Sequence, residues 1–176
     1  MLKGSLKISR KLLSSLISLW VERNGGLISN KVVYLSLLDV CLGLGLRVDG
    51  DNINLDEVCV ESECKKLLNN KSVDVEMLYD FLARCRDDVS LENYCRLYIV
   101  LGISEFLCPS RKGTIFPILF TIVDDLSNLG KYNWGGLVYE YLVGSICNAS
   151  LFLKEKGKKR HFHILGCVYL LQVICN

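Results

Sequence analysis

Two histidines and nine cysteines carry most of the reactive side-chain chemistry in this 176-residue chain. His161-Phe162-His163, with Cys167 four residues on, offers two imidazoles and a thiolate, the donor types of a zinc site. No Cys-x2-Cys pair accompanies them, and a core cysteine accounts for Cys167 if it lies on a helix face. Cys59 and Cys64 stand too far apart for a zinc knuckle or a thioredoxin-type pair. No cysteine sits in a protease signature. Gly43-Leu44-Gly45 opens like a dinucleotide loop, but Arg47 and Val48 occupy the neighbourhood of the required third glycine. Asp49-Gly50-Asp51 fails as a calcium loop because Ile53 and Asn54 fill ligand and turn positions. The residues therefore point to no catalytic group, no metal and no cofactor. What remains is the basic run Lys154, Lys156, Lys158, Lys159 and Arg160, whose charges could contact phosphates.

Composition supports a folded and unspecialised domain. Hydrophobic residues make up 51% and charged residues 23%, which excludes disorder as the main state. The formal net charge is +2, so bulk charge does not describe a nucleic-acid binder. Charge is uneven, at −6 between Arg47 and Glu92 and +4 between Lys154 and Arg160. An odd number of cysteines, several inside apolar helical patterns, reads as reduced thiols in the cytosol or nucleus. Lys3, Lys7, Arg10 and Lys11 ahead of an apolar run imitate a secretory signal, but Glu22-Arg23-Asn24 stands where small cleavage-site residues belong. The apolar runs 97–107 and 164–175 are too short to span a bilayer and read as buried core helices.

The elements that must position these residues are mostly helical. A first helix is expected from Ser5 to Arg23, with Leu12, Leu13, Leu16, Ile17, Leu19 and Trp20 on one apolar stripe. Residues 27–35 read as a small hairpin turning at Ser29-Asn30-Lys31. Ser36 is placed to cap a helix over Leu37–Leu44, which Gly43 and Gly45 close. Further helices are expected near 61–69, over 74–86, from Leu91 to Leu107, and from Ile118 to Leu126 after Pro117. A loop at 128–132 precedes a helix from Trp134 to Leu153 capped by Asn133, then a polar connector over 154–160 and a last helix over 162–175. Tyr132 and Trp134, at the start of the long helix, are expected to be packing anchors.

Several ordered motifs carry a resemblance. They are Leu37-Leu38-Asp39-Val40-Cys41-Leu42-Gly43-Leu44-Gly45-Leu46, Asp125-Leu126, Tyr132-Asn133-Trp134-Gly135, and Leu165-Gly166-Cys167-Val168-Tyr169-Leu170-Leu171-Gln172. Their order resembles the plant mobile domain family, also called aminotransferase-like plant mobile domain or MAIN-like proteins. Ser29-Asn30-Lys31 departs from the family's Pro and Gly-Glu turn, and the family continues beyond the helix in which this chain stops at Asn176.

The resemblance implies a mainly α, irregular multi-helix domain with one small β-hairpin near residues 27–35. It implies one domain over 1–176, truncated at its C-terminal end, with structural anchors at Asp39, Gly45, Tyr132, Trp134, Gly135, Gly166 and Gln172. The function it implies is a non-enzymatic protein-interaction domain of a nuclear plant protein in meristem maintenance, genome stability and transposon silencing. The implied partner is a protein, with a serine/threonine phosphatase-like protein as candidate. No cofactor or membrane is expected, and location is the nucleus or, alternatively, the cytoplasm. The alternative function is a transposon-derived remnant with weak nucleic-acid binding through 154–160.

Overall fold

The computed structural model describes residues 10–21, 26–28, 32–58, 61–69, 72–84, 89–156 and 163–174, and the structure is mostly helical. The first helix, α1 (Arg10–Leu19), ends four residues earlier than its apolar pattern predicts. Trp20–Val21 (β1) leaves the helix and pairs antiparallel with β2 (Gly26–Ile28), placing Trp20 opposite Leu27. An aromatic and a β-branched residue suit extended backbone, and Trp20 is buried with its indole Nε1 donating to Cys147 Sγ at 3.3 Å. β2 also pairs antiparallel with β3 (Val32–Tyr34), Leu27 opposite Val33. The expected turn at 29–31 lies outside the described residues, so the ladder alone is seen there.

Helix α2 (Leu37–Leu44) starts and stops as its local chemistry dictates. The Ser36 hydroxyl accepts from the Asp39 N–H at 3.2 Å while the Asp39 carboxylate accepts from the Ser36 N–H at 2.8 Å. Gly45 ends the helix at φ +66°, a left-handed conformation that a side chain would strain. Helices α3 (Glu63–Leu67) and α4 (Val75–Arg84) follow, α3 capped by Ser62 and by the Asp124 carboxylate, which accepts from the N–H groups of Glu63 and Cys64.

The expected helix over 91–107 is two pieces. α5 (Leu91–Gly102), capped by Ser90, gives way to a π-helical turn over Ile103–Leu107, closed by the Cys108 N–H donating to the Ile103 carbonyl at 2.8 Å. The wider turn re-aims Glu105 and Phe106, which are exposed while Ile103 and Ser104 are buried. α6 (Ile118–Val123) is buried along its whole apolar run except Thr121. The stretch expected as a loop at 128–132 is largely a 3-10 helix over Leu126–Lys131, held at its start by Asp125, which accepts from the Ser127 N–H.

Helix α7 (Trp134–Lys156) is the longest element, and it runs three residues past its expected end at Leu153 into the predicted polar connector. Among the described residues it alone, over Trp134–Glu155, is long and apolar enough to cross a bilayer. Here its Leu137, Val138, Leu142 and Ile146 are buried in the core. The last helix, α8 (Val168–Ile174), begins later than the periodicity predicts, because Gly166 takes φ +96° and residues 163–167 are not helical. His163 and Cys167 consequently share no helix face: His163 is exposed and Cys167 is buried.

Burial divides into two apolar clusters. One gathers Trp20, Leu35, Val40, Cys108, Cys167, Leu170 and Leu171 around α7. The other gathers Cys64, Val73, Leu78, Leu97, Val100, Leu119 and Phe120 from α3 to α6. Leu107, Phe116 and Trp134 pack against both.

Candidate functional site

Several of the sequence-derived anchors converge where α7 begins. The loop after α2 is stitched to the segment before α7 by four hydrogen bonds. Arg47 Nη1 donates to the Gly130 carbonyl at 2.9 Å, the Asp51 N–H to the Lys131 carbonyl at 2.7 Å, the Asn133 N–H to the Asp51 carbonyl at 2.9 Å, and the Gly135 N–H to the Arg47 carbonyl at 3.1 Å. Gly135 is buried, and a Cβ there would lie 2.5 Å from the Arg47 carbonyl oxygen and fall on Cys41 Sγ. Trp134 Nε1 donates to the Leu129 carbonyl at 2.8 Å and its ring meets Tyr132 edge-on at 6.2 Å. Asp39 and Gly45 serve α2 as its cap and its stop. Hydrogen bonds from the Ser36 hydroxyl, then its backbone, hold the Asp39 carboxyl below the usual carboxylate range. This knot is structural: its polar groups are engaged with one another.

Open space lies elsewhere, along the next turns of α7. Glu140, Tyr141, Gly144, Ser145, Asn148 and Phe152 recur at helical spacing and line one wall of a cavity of about 610 Å³. The opposite wall is built by Arg111 and by His163 and Leu165. Two hydrogen bonds fix the walls. The Tyr141 hydroxyl donates to the Pro109 carbonyl at 3.2 Å, and the Leu165 N–H donates to Ser145 Oγ at 2.6 Å. Gly166 makes the close approach feasible, since a Cβ there would lie 3.1 Å from Leu142 Cα. Burial, with Cys108 adding to it, pushes the Tyr141 phenol up to about 12, so it acts as a neutral donor.

A second cavity of about 330 Å³ adjoins the first and shares Arg111, His163 and Leu165 with it. Its remaining walls include Glu105, Phe106, Pro109, Ser110 and Tyr169. Phe106 and Tyr169 stack there at 6.0 Å with an interplanar angle of 15°. Arg111 is exposed and makes no hydrogen bond or ion pair among the described residues. Ser110 Oγ is buried and has no hydrogen-bond partner among the described residues. The two cavities form one groove with aromatic surface in each part and Arg111 and His163 at the stretch they share.

The nearby thiols are poor nucleophiles. Burial, with Cys167 beside it, pushes the Cys108 thiol up to about 12, and burial raises Cys167 as well. Among the described residues no three His, Cys, Asp or Glu side chains gather as a metal site. The arrangement is therefore equipped to bind: a guanidinium with no ion pair among the described residues, set beside stacked aromatic surface.

One family description, "Domain of unknown function (DUF8566)", matches residues 2–172. The chain belongs to this family. No curated protein and no solved structure shows a significant match to it. The DUF8566 match covers the knot at the start of α7 and the groove together.

Of the sequence-derived anchors, only Gly166 borders the groove of this DUF8566 chain. Gln172 lies on α8, and its side chain is outside the described part. In the basic run, Lys154 is exposed near the end of α7 and borders a third cavity of about 230 Å³ with Ser14, Ser15, Ser18 and Ser150. Lys156 ends α7 with its side chain undescribed, and Lys158, Lys159 and Arg160 lie outside the described residues. Sequence reasoning missed Ser110, Arg111, Ser145 and Asn148. The one available signal was the row of polar and small residues at 140, 144, 145 and 148 on an otherwise apolar helix.

Proposed function

We propose that this chain is a non-enzymatic protein-interaction domain, and that the groove along α7 is where a partner segment docks. The observation that carries this reading is Arg111, without an ion pair among the described residues, at the shared middle of two adjoining cavities with apolar and aromatic surface on either side. Ligand sites combine such apolar walls with a few convergent polar groups. The resemblance to plant mobile domain proteins supplies the biological setting of the proposal. That setting is a nuclear plant protein of meristem maintenance, genome stability and transposon silencing, with a serine/threonine phosphatase-like protein as candidate partner. The paired strands at 26–28 and 32–34 belong to this reading as the family's small hairpin, with one domain over the whole chain. Affinity capture from plant nuclei with the full chain tests it. Specific nuclear proteins are expected, and they should be lost when Gly144→Phe fills the groove. Recovery of only abundant cytosolic proteins overturns the reading.

The exposed Lys154 beside four serines supports the second reading, nucleic-acid contact through 154–160. A salt titration with single-stranded and duplex DNA separates the two. A phosphate binder loses affinity steeply between low and moderate salt, and absence of binding at low salt overturns this alternative.

A further inference from the structure

We infer that the middle of the groove is an oxyanion subsite that receives the side-chain carboxylate of an acidic residue in a partner peptide. This inference rests on the reading of the chain as an interaction domain. Arg111 and His163 line both cavities, so they face the point where the cavities meet. Arg111 has no partner among the described residues, and guanidinium is the side chain best shaped to grip a carboxylate through two parallel donors. Ser110, next in the chain, lines the smaller cavity, and its buried Oγ has no hydrogen-bond partner among the described residues, so it gains from a ligand acceptor.

The charges around the subsite narrow the occupant further. Glu140 lines only the larger cavity and Glu105 only the smaller one, so a carboxylate stands on each side of the cationic middle. A run of acids would be repelled at both flanks, whereas a single acid between apolar residues fits. The apolar residues have matching surfaces: Phe152 in the larger cavity, and the stacked Phe106 and Tyr169 in the smaller. Gly144 contributes open space on the helix wall, since a Cβ added there meets nothing within 4 Å.

The test is an NMR titration of the 15N-labelled full chain with N-acetyl-Leu-Asp-Leu-amide, its Asn counterpart, and inorganic phosphate. The Asp peptide should shift the Arg111 side-chain Nε–H and the Ser110 and Leu165 amides, and should bind about tenfold or more tighter than the Asn peptide. Arg111→Gln, at an exposed side chain with no partner to lose among the described residues, should abolish that difference. Equal binding of the Asp and Asn peptides overturns the subsite. Phosphate binding as tightly as the Asp peptide, at the same residues, overturns the peptide assignment in favour of a free anion. If neither peptide binds, a peptide array on the full chain distinguishes the failures. Array peptides bound on the exposed Tyr34, Leu38 and Leu42 face would overturn the groove and leave the interaction domain standing. An array with no bound peptide would overturn both.

Discussion

Gly135 and Arg47 are joined backbone to backbone, the Gly135 N–H donating to the Arg47 carbonyl at 3.1 Å, and the contact is possible only because residue 135 has no side chain. A methyl group there would press on that backbone carbonyl and on the buried Cys41 Sγ. Gly135→Ala should therefore destabilise the fold by about 1–3 kcal/mol, the usual cost of overpacking. Gly102→Ala is the control: it ends α5 with nothing within 4 Å of an added Cβ. That change should be neutral or stabilise by up to about 1 kcal/mol through helix propensity. Urea denaturation of both variants checks the pair, and equal midpoints would contradict the packing argument.

The parts of the fold that could be read in the sequence are those fixed by neighbours within four residues. Ser36 and Asp39 close a capping box three residues apart, Gly45 ends the same helix, and Asn133 Oδ1 accepts from the Gly136 N–H at 2.7 Å. The parts that could not be read depend on distant partners. Trp20 leaves α1 because residues 26 and 27 and Cys147 offer it a better position. Periodicity continues through Gly166, but close packing on Leu142 demands its positive φ. The groove is the extreme case: Arg111 and His163, 52 residues apart, line the same cavities with the Tyr141 and Ser145 hydrogen bonds holding their two segments against α7.

The capping box should carry a pH signature. Asp39→Ala removes an acceptor from the first turn of α2 and should cost about 1 kcal/mol at neutral pH. The folded carboxyl is held below its ordinary 3.8 by the Ser36 hydrogen bonds, so the stabilisation is fully present above that value. It is lost as pH falls through the lower folded value, because protonation abolishes the ion the cap favours. The stability gap between wild type and Asp39→Ala should narrow between neutral pH and pH 3 or below. A gap constant with pH would show that the carboxylate charge plays no part.

Thiol reactivity should follow burial. Cys64 and Cys108 are both pushed up to about 12, first by burial, and then by Asp124 for Cys64 and by Cys167 for Cys108. Cys95 is exposed on α5. Native-state alkylation with iodoacetamide at pH 8, read by peptide mass spectrometry, should modify Cys95 well before Cys64, Cys108 and Cys167, which stay protected until unfolding. The raised values also set an alkaline limit. Ionisation in the unfolded chain begins near 9, so stability should fall as pH rises from there towards 12. Early labelling of Cys108 would show that its surroundings open readily.

Trp134 holds the two apolar clusters together, and its removal should reveal whether they unfold as one unit. Its ring packs against both, and its Nε1 satisfies the Leu129 carbonyl at 2.8 Å. Trp134→Phe keeps much of the ring area and loses the hydrogen bond, which should cost about 1–2 kcal/mol. Trp134→Ala empties the seam as well and should cost about 3 kcal/mol or more. The larger change should also lower cooperativity, since among the described residues only Leu107 and Phe116 would then pack against both clusters. Hydrogen exchange under native conditions gives the decisive readout. In the wild type, buried amides of α5 and α7 should open with similar free energies. In Trp134→Ala those of α5 and α6 should separate from those of α7 and α8, because only shared contacts force the two clusters to open together. If the two sets of amides stay matched in Trp134→Ala, the coupling runs through other residues, and the backbone stitching between 47–51 and 130–135 becomes the next place to cut.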